Sequence, residues 1–176
     1  MQVVQPQTLL CWQPPPSGQL KLNFDGAIFY QELKSGVGAV LRDDKGSMIM
    51  AMSRLEEGIL LVEDVEAIAA LRALQFISHL GISHLILEGD SLIVVEAIQS
   101  TSIVEFSYSP TIREIKLLLS QFQSYDILHV GRQGNGIAHK MARHARVVEN
   151  TLQWWFHPSD FIKASLEVDA ETSLRA

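Results

Sequence analysis

The sequence predicts a mixed α/β fold: one sheet that begins as an antiparallel meander and ends with parallel strands, with helices on both faces. Three observations carry that prediction. Leu20–Ala27, Gly36–Leu41 and Ser47–Met52 are short strand-like runs joined by loops too short for a crossover. At Val62 the hydrophobic period changes from two to three and four. His84–Gly89 is then a short apolar run flanked by helical patterns, the signature of a strand buried in a parallel arrangement.

Taken in order, residues 1–19 are polar and proline-rich, with Pro14, Pro15 and Pro16 just ahead of the first strand, and read as an irregular lead-in. In the first strand Leu20, Leu22 and Phe24 share one face, while Lys21, Asn23 and Asp25 share the other. Gly26 follows at once, removing a side chain where the strand must bend or admit a ligand. An acid at such a tip is a candidate metal ligand, although Asp-Gly is also an ordinary turn pair. Arg42–Gly46 reads as a turn, and Met48, Met50 and Met52 alternate in the third strand as one packed face.

Val62, Val65, Ala69, Ala73, Phe76, Ile77 and Leu80 line one face of a long helix, with Glu63 and Asp64 suited to its N-terminal dipole and Gly81 to its C-cap. Ser91 caps a helix over Leu92–Gln99, Ser109 and Pro110 open another reaching about Phe122, Tyr125–Val130 is the fifth strand, and Asn135 caps a last helix to about Val148. The expected domain is therefore 20–150. Within 151–176, Trp154-Trp155-Phe156 is expected to pack back as an aromatic strap, and the tail from Lys163 to be mobile.

At 176 residues and 47% hydrophobic, the chain has the size and apolar content for one domain with a real core. No apolar run approaches the ~20 residues that span a bilayer, and no signal peptide opens the chain, so an intracellular protein without membrane contact is expected. A lone Cys11 excludes an internal disulfide and a Cys/His zinc site. The net charge of -6 argues against nucleic acid, but the distribution argues for it: Ile127–Val148 holds no Asp or Glu, yet carries Arg132, Lys140, Arg143, Arg146 and three histidines. Ser91 lacks a nucleophile elbow, and Gly36-Val37-Gly38 lacks the rest of a dinucleotide fingerprint.

Asp25 ends the first strand and Asp90 the fourth, and the right-handed crossover rule lets these strands lie in parallel with both acids at one sheet edge. Glu66, on the first turns of the long helix, can reach the same edge. The strings Lys21–Ala27, Val65–Leu74, Leu87–Ser91 and His129–Asn135 together resemble the successive motifs of the ribonuclease H domain, closest to plant-type single-domain proteins related to retroelement polyproteins. The resemblance covers about residues 12–150 and includes the lead-in Trp12-Gln13-Pro14-Pro15-Pro16.

That resemblance implies a five-stranded mixed sheet of three antiparallel and two parallel strands, and hydrolysis of the RNA strand of an RNA/DNA hybrid by two Mg2+ ions, with Mn2+ able to substitute. Asp25, Glu66 and Asp90 match the family's first three metal-binding acids. His139 stands where the fourth acid belongs, and Gly89 where threonine is usual. His139 is open to three roles: a nitrogen ligand, a proton carrier or a phosphate contact. Arg132, Asn135, Arg143 and Arg146 are the expected nucleic-acid contacts, and His129 a structural residue. The expected partner is a hybrid or another nucleic-acid duplex, bound by a monomer. A nucleic-acid binding module and a domesticated interaction domain are the alternative readings.

Overall fold

The computed structural model describes residues 11–59, 61–102 and 105–175. β1 (Leu20–Phe29) pairs antiparallel with β2 (Lys34–Arg42), and β2 with β3 (Met48–Glu57). On its other side β1 runs parallel to β4 (His84–Gly89), which runs parallel to β5 (Ser124–His129). β1 is thus central. Both of its faces are closed: Leu22 and Phe24 are buried in the main core, while Lys21, Asn23 and Asp25 are buried on the opposite face.

The first face is covered by α1 (Val62–Ile77), α2 (Leu92–Gln99) and α3 (Ser109–Leu119), whose Ala70, Leu74, Ile77, Val94 and Ile115 join Leu22, Phe24, Leu41, Met50 and Leu87 in one cluster. The second face is covered by α4 (Gly136–His144), which continues as a 3-10 turn through Val147. Gly38 makes that packing possible, because a Cβ there would collide with the α4 backbone at Ala138, Met141 and Ala142. Helix ends are shorter than the periodicity suggests. α1 stops at Ile77, and Leu80 N–H closes a turn on the Ile77 carbonyl before Gly81 turns the chain at φ 66°. α3 likewise ends at Leu119 and not near Phe122.

Three expectations are corrected. The sheet has six strands, because Thr151–Trp155 forms β6 and pairs antiparallel with β3, giving the order β5-β4-β1-β2-β3-β6. The aromatic strap is therefore an edge strand. The tail is a helix, α5 (Asp160–Arg175), docked through Ile162, Leu166, Asp169 and Ser173. These recur at helical spacing, but half are polar, so the hydrophobic pattern fades after Leu166. Finally, the three methionines do not share a face. A register shift beside Arg42 puts Met48 with Val40, Ile137 and Ile162, while Met50 and Met52 stay in the main core.

Candidate active site

The β1–β4 register pairs Phe24 with Gly89, so Asp25 and Asp90 each stand one residue beyond the same rung. Gly26 brings in the third acid. A Cβ at Gly26 would lie 2.5 Å from Val65 Cγ1 and 3.0 Å from the Val65 carbonyl carbon, so only glycine lets the start of α1 press against β1 and set Glu66 beside Asp25. Gly89 is packed just as closely: a Cβ there would meet the Phe24 ring at 2.5 Å.

One ligand oxygen from each of Asp25, Glu66 and Asp90 lies within 4.8 Å of the others. Asp25 is fully buried, and Glu66 nearly so. Two of their oxygens, Asp25 Oδ1 and Glu66 Oε2, are buried without any hydrogen-bond partner. Burial, reinforced by the charges of Asp25 and Asp90, pushes the Glu66 carboxyl up to about 10. The Asp90 carboxyl is also raised, by burial and by Asp25, with Arg132 and Asn135 opposing. Clustered carboxylates with orphaned oxygens are the donor set of a hard divalent cation, which would relieve both the repulsion and the unmet hydrogen-bonding capacity.

Two cationic or ionisable side chains reach in from the far side. His139 Nδ1 is 2.7 Å from Asp25 Oδ2, and Arg132 Nε is 2.8 Å from Asp90 Oδ2. Arg132 Nη1 also lies 2.7 Å from His139 Nδ1. That nitrogen cannot donate to Asp25 and accept from Arg132 together; donation to the buried carboxylate satisfies the larger demand and leaves Arg132 held by Asp90. Arg132 remains 63% exposed along its side chain, so the same guanidinium is open to solvent. His129 ends β5, its Nε2 3.2 Å from the Asp90 carbonyl oxygen.

The remaining sequence-predicted contacts separate. Arg143 is exposed on α4 one turn beyond His139, and no hydrogen bond or ion pair engages it among the described residues. Arg146 is committed elsewhere, its Nε donating to Glu32 Oε1 at 2.7 Å and its guanidinium lying over the Phe29 ring. Asn135 is not a surface contact at all. It is 1% exposed, and its amide donates to the Phe24 carbonyl at 2.9 Å and to Asp90 Oδ1 at 3.3 Å while accepting from Asn23 at 3.2 Å. Nor does its side chain cap α4.

Sequence reasoning missed a second buried polar cluster behind the acids. Lys21 Nζ pairs with Glu88 Oε1 at 3.0 Å, and Arg42 Nη1 pairs with Asp169 Oδ2 at 2.6 Å. Trp12 packs its ring 3.7 Å from the Arg42 guanidinium carbon. The available signal was the polar side of the central strand, Lys21 and Asn23, together with Glu88 inside an otherwise apolar strand.

The mixed sheet, with one acid where β1 runs past the end of its parallel neighbour β4, one just beyond β4 and one on the first helix, defines a ribonuclease H-like fold. Residues 23–145 match the family model described as Reverse transcriptase-like, and the chain belongs to that family. Ribonuclease H1 of Halobacterium salinarum NRC-1 is similar in structure, with a TM-score of 0.63, 25% identity, and coverage of 73% of this chain and 97% of that one. The N-terminal RNase H domain of a Mycobacterium tuberculosis protein gives a TM-score of 0.66 at 22% identity, covering 72% and 92%. A compost-derived ribonuclease H1, solved in complex with an RNA/DNA hybrid, gives 0.63 at 19% identity, covering 72% and 95%. No curated protein matches the chain. Trp12, β6 and α5 all fall outside the family-matched stretch.

Proposed function

We propose that the protein is an endonuclease that hydrolyses the RNA strand of RNA/DNA hybrids with the help of divalent metal ions. The observation that carries this reading is the Asp25, Glu66 and Asp90 cluster with its two buried, unpartnered oxygens. The hybrid-bound structure of a ribonuclease H1 with the same fold supports the substrate class. Asp25, Glu66 and Asp90 would hold the ions, Mg2+ or in its place Mn2+, which when bound supply Lewis acidity and an activated water.

The chain's own groups supply positioning and charge. His139 donates from Nδ1 to Asp25, fixing that carboxylate and leaving Nε2 as an acceptor. Arg132, exposed and paired to Asp90 through Nε, can exchange that carboxylate for a substrate phosphate of the same charge sign. Arg143 extends the basic surface one helical turn further. Attack of water on phosphorus breaks the bond to the 3'-oxygen, leaving a 5'-phosphate and a 3'-hydroxyl. Such a protein works inside the cell, as a monomer.

A second reading, a nucleic-acid binding module with little chemistry, draws on His139 and Arg132 sitting against Asp25 and Asp90. One assay separates the two: cleavage of a labelled RNA/DNA hybrid with Mg2+ or Mn2+, the parent beside Asp25→Asn. The nuclease reading expects cleavage by the parent and a loss of about a hundredfold or more in the variant. Hybrid binding with no cleavage by the parent, or equal cleavage by both proteins, overturns it.

A further inference from the structure

The Asn23 side chain uses all of its hydrogen-bonding capacity, and its partners fix which way its amide points. Trp12 Nε1 and Arg42 Nη2 lie 3.1 and 3.3 Å from one atom of the amide. Both are donors only, so that atom is the carbonyl oxygen. The amide nitrogen therefore faces the other way, donating to Glu88 Oε2 at 2.8 Å and to Asn135 Oδ1 at 3.2 Å. With its oxygen so engaged, Asn135 turns its own NH2 toward the Phe24 carbonyl and Asp90. The two donors are themselves anchored from outside the family-matched stretch: Trp12 lies in the lead-in, and Arg42 is held by Asp169 of α5. Ser173 Oγ lies between the two flanks, 2.7 Å from the Asp169 carbonyl oxygen of its own helix and 3.1 Å from the Trp12 carbonyl oxygen, so its one proton is shared between them.

We propose that Asn23 is a positioning residue, whose amide, oriented by Trp12 and Arg42, sets the Asn135 amide so that an N–H and not a carbonyl faces Asp90. A carbonyl turned the other way would set a third partial negative charge against a carboxylate already crowded by Asp25 and Glu66. The flanks of the chain thus fix the polarity of one contact to the acid cluster, and they do so through buried groups that never touch the reacting atoms. The catalytic meaning of that contact rests on the nuclease reading, but the orientation itself does not.

Asn23→Asp keeps the shape and replaces the donor that faces Asn135 Oδ1 with an acceptor. In 15N-labelled, metal-free protein, the hydrogen exchange of the Asn135 side-chain NH2 reports whether its bonds to Phe24 and Asp90 persist. The expected result is exchange about tenfold faster or more in Asn23→Asp, and unchanged exchange in Ile112→Ala, which loosens α3 on the other face of the sheet and leaves Trp12, Arg42 and α5 in place. If Asn23→Asp alone does not fold, Asn23→Asp with Glu88→Gln restores a donor beside position 23 while still denying one to Asn135. Parent-like exchange at Asn135 in the folded variant overturns the proposal, as does an equal acceleration in Ile112→Ala. A parallel Mn2+ titration by calorimetry is expected to show weaker binding in Asn23→Asp. A parent that binds no Mn2+ contradicts the nuclease reading and leaves the exchange result standing on its own.

Discussion

Two buried polar clusters lie side by side where β1 runs beside the end of β4, and they are built on opposite rules. Behind the acids, Lys21 pairs with Glu88, Arg42 with Asp169, and Asn23 fills every position on its amide; only Arg42 Nε is left over. Beside it, three carboxylates crowd together, with one oxygen each of Asp25 and Glu66 unpartnered and His139, Arg132 and the Asn135 amide set against the group. A satisfied network fixes the fold, whereas an unsatisfied one costs stability that the rest of the fold must offset, and is the feature to expect where a ligand completes the set.

The largest effect should come from breaking the satisfied cluster. Lys21→Met strands the fully buried Glu88 carboxylate, and removal of one partner from a buried pair costs about 3–5 kcal/mol. Urea denaturation of metal-free protein checks this. A loss below about 1 kcal/mol would place the pair outside the group of interactions that hold β1 to β4.

The unsatisfied cluster should show itself through pH. The folded protein keeps a proton on Glu66 up to about 10, whereas the unfolded carboxyl releases it near 4.5, so folding takes up a proton between those values. Stability fully present below about pH 4.5 is therefore lost as pH rises toward 10, and the raised Asp90 acts in the same direction. Denaturation midpoints measured with chelator across that window should fall with pH in the parent, and the fall should be much flatter in Glu66→Gln. An unchanged slope in the variant would remove Glu66 as its source.

These two clusters also differ in how far the sequence reveals them. The acids stand at legible places in strongly periodic elements. Asp25 follows the alternating Leu20–Phe24 run, although β1 itself continues to Phe29 instead of ending there as expected. Asp90 follows an apolar strand, and Glu66 sits on the first turns of a long amphipathic helix. Element order and the crossover rule were enough to bring them together. The satisfied cluster depends on side chains from residues 12, 21, 23, 42, 88 and 169, joined by a register and a helix docking that no local pattern encodes. Asn135 shows the consequence: an asparagine opening a helix reads as a cap or a surface contact, whereas its partners, Asn23, the Phe24 carbonyl and Asp90, all lie inward and come from distant parts of the chain. β6 escaped notice because it has few residues and its aromatics suit a strap as well as a strand.

A smaller effect concerns the one group that links the acids to solvent. Arg132 occupies Asp90 Oδ2 while mostly exposed, and exposed pairs contribute about 0.2–1 kcal/mol, so Arg132→Gln should bind Mn2+ a few-fold more tightly in the absence of nucleic acid. It should also bind the hybrid more weakly and with a shallower salt dependence. Calorimetry of the free protein checks the first expectation; equal or weaker Mn2+ binding would mean that the guanidinium does not compete for Asp90.

The contrast between the clusters is tested most directly by Asp25→Asn, measured as thermal melting with chelator and again with Mn2+. Neutralising a buried acid in a repelling group should leave the metal-free melting temperature unchanged or higher, and should abolish the rise that Mn2+ produces in the parent. A variant that melts well below the parent in chelator, while still gaining stability from Mn2+, would show that Asp25 belongs to the satisfied network and that the metal site lies elsewhere.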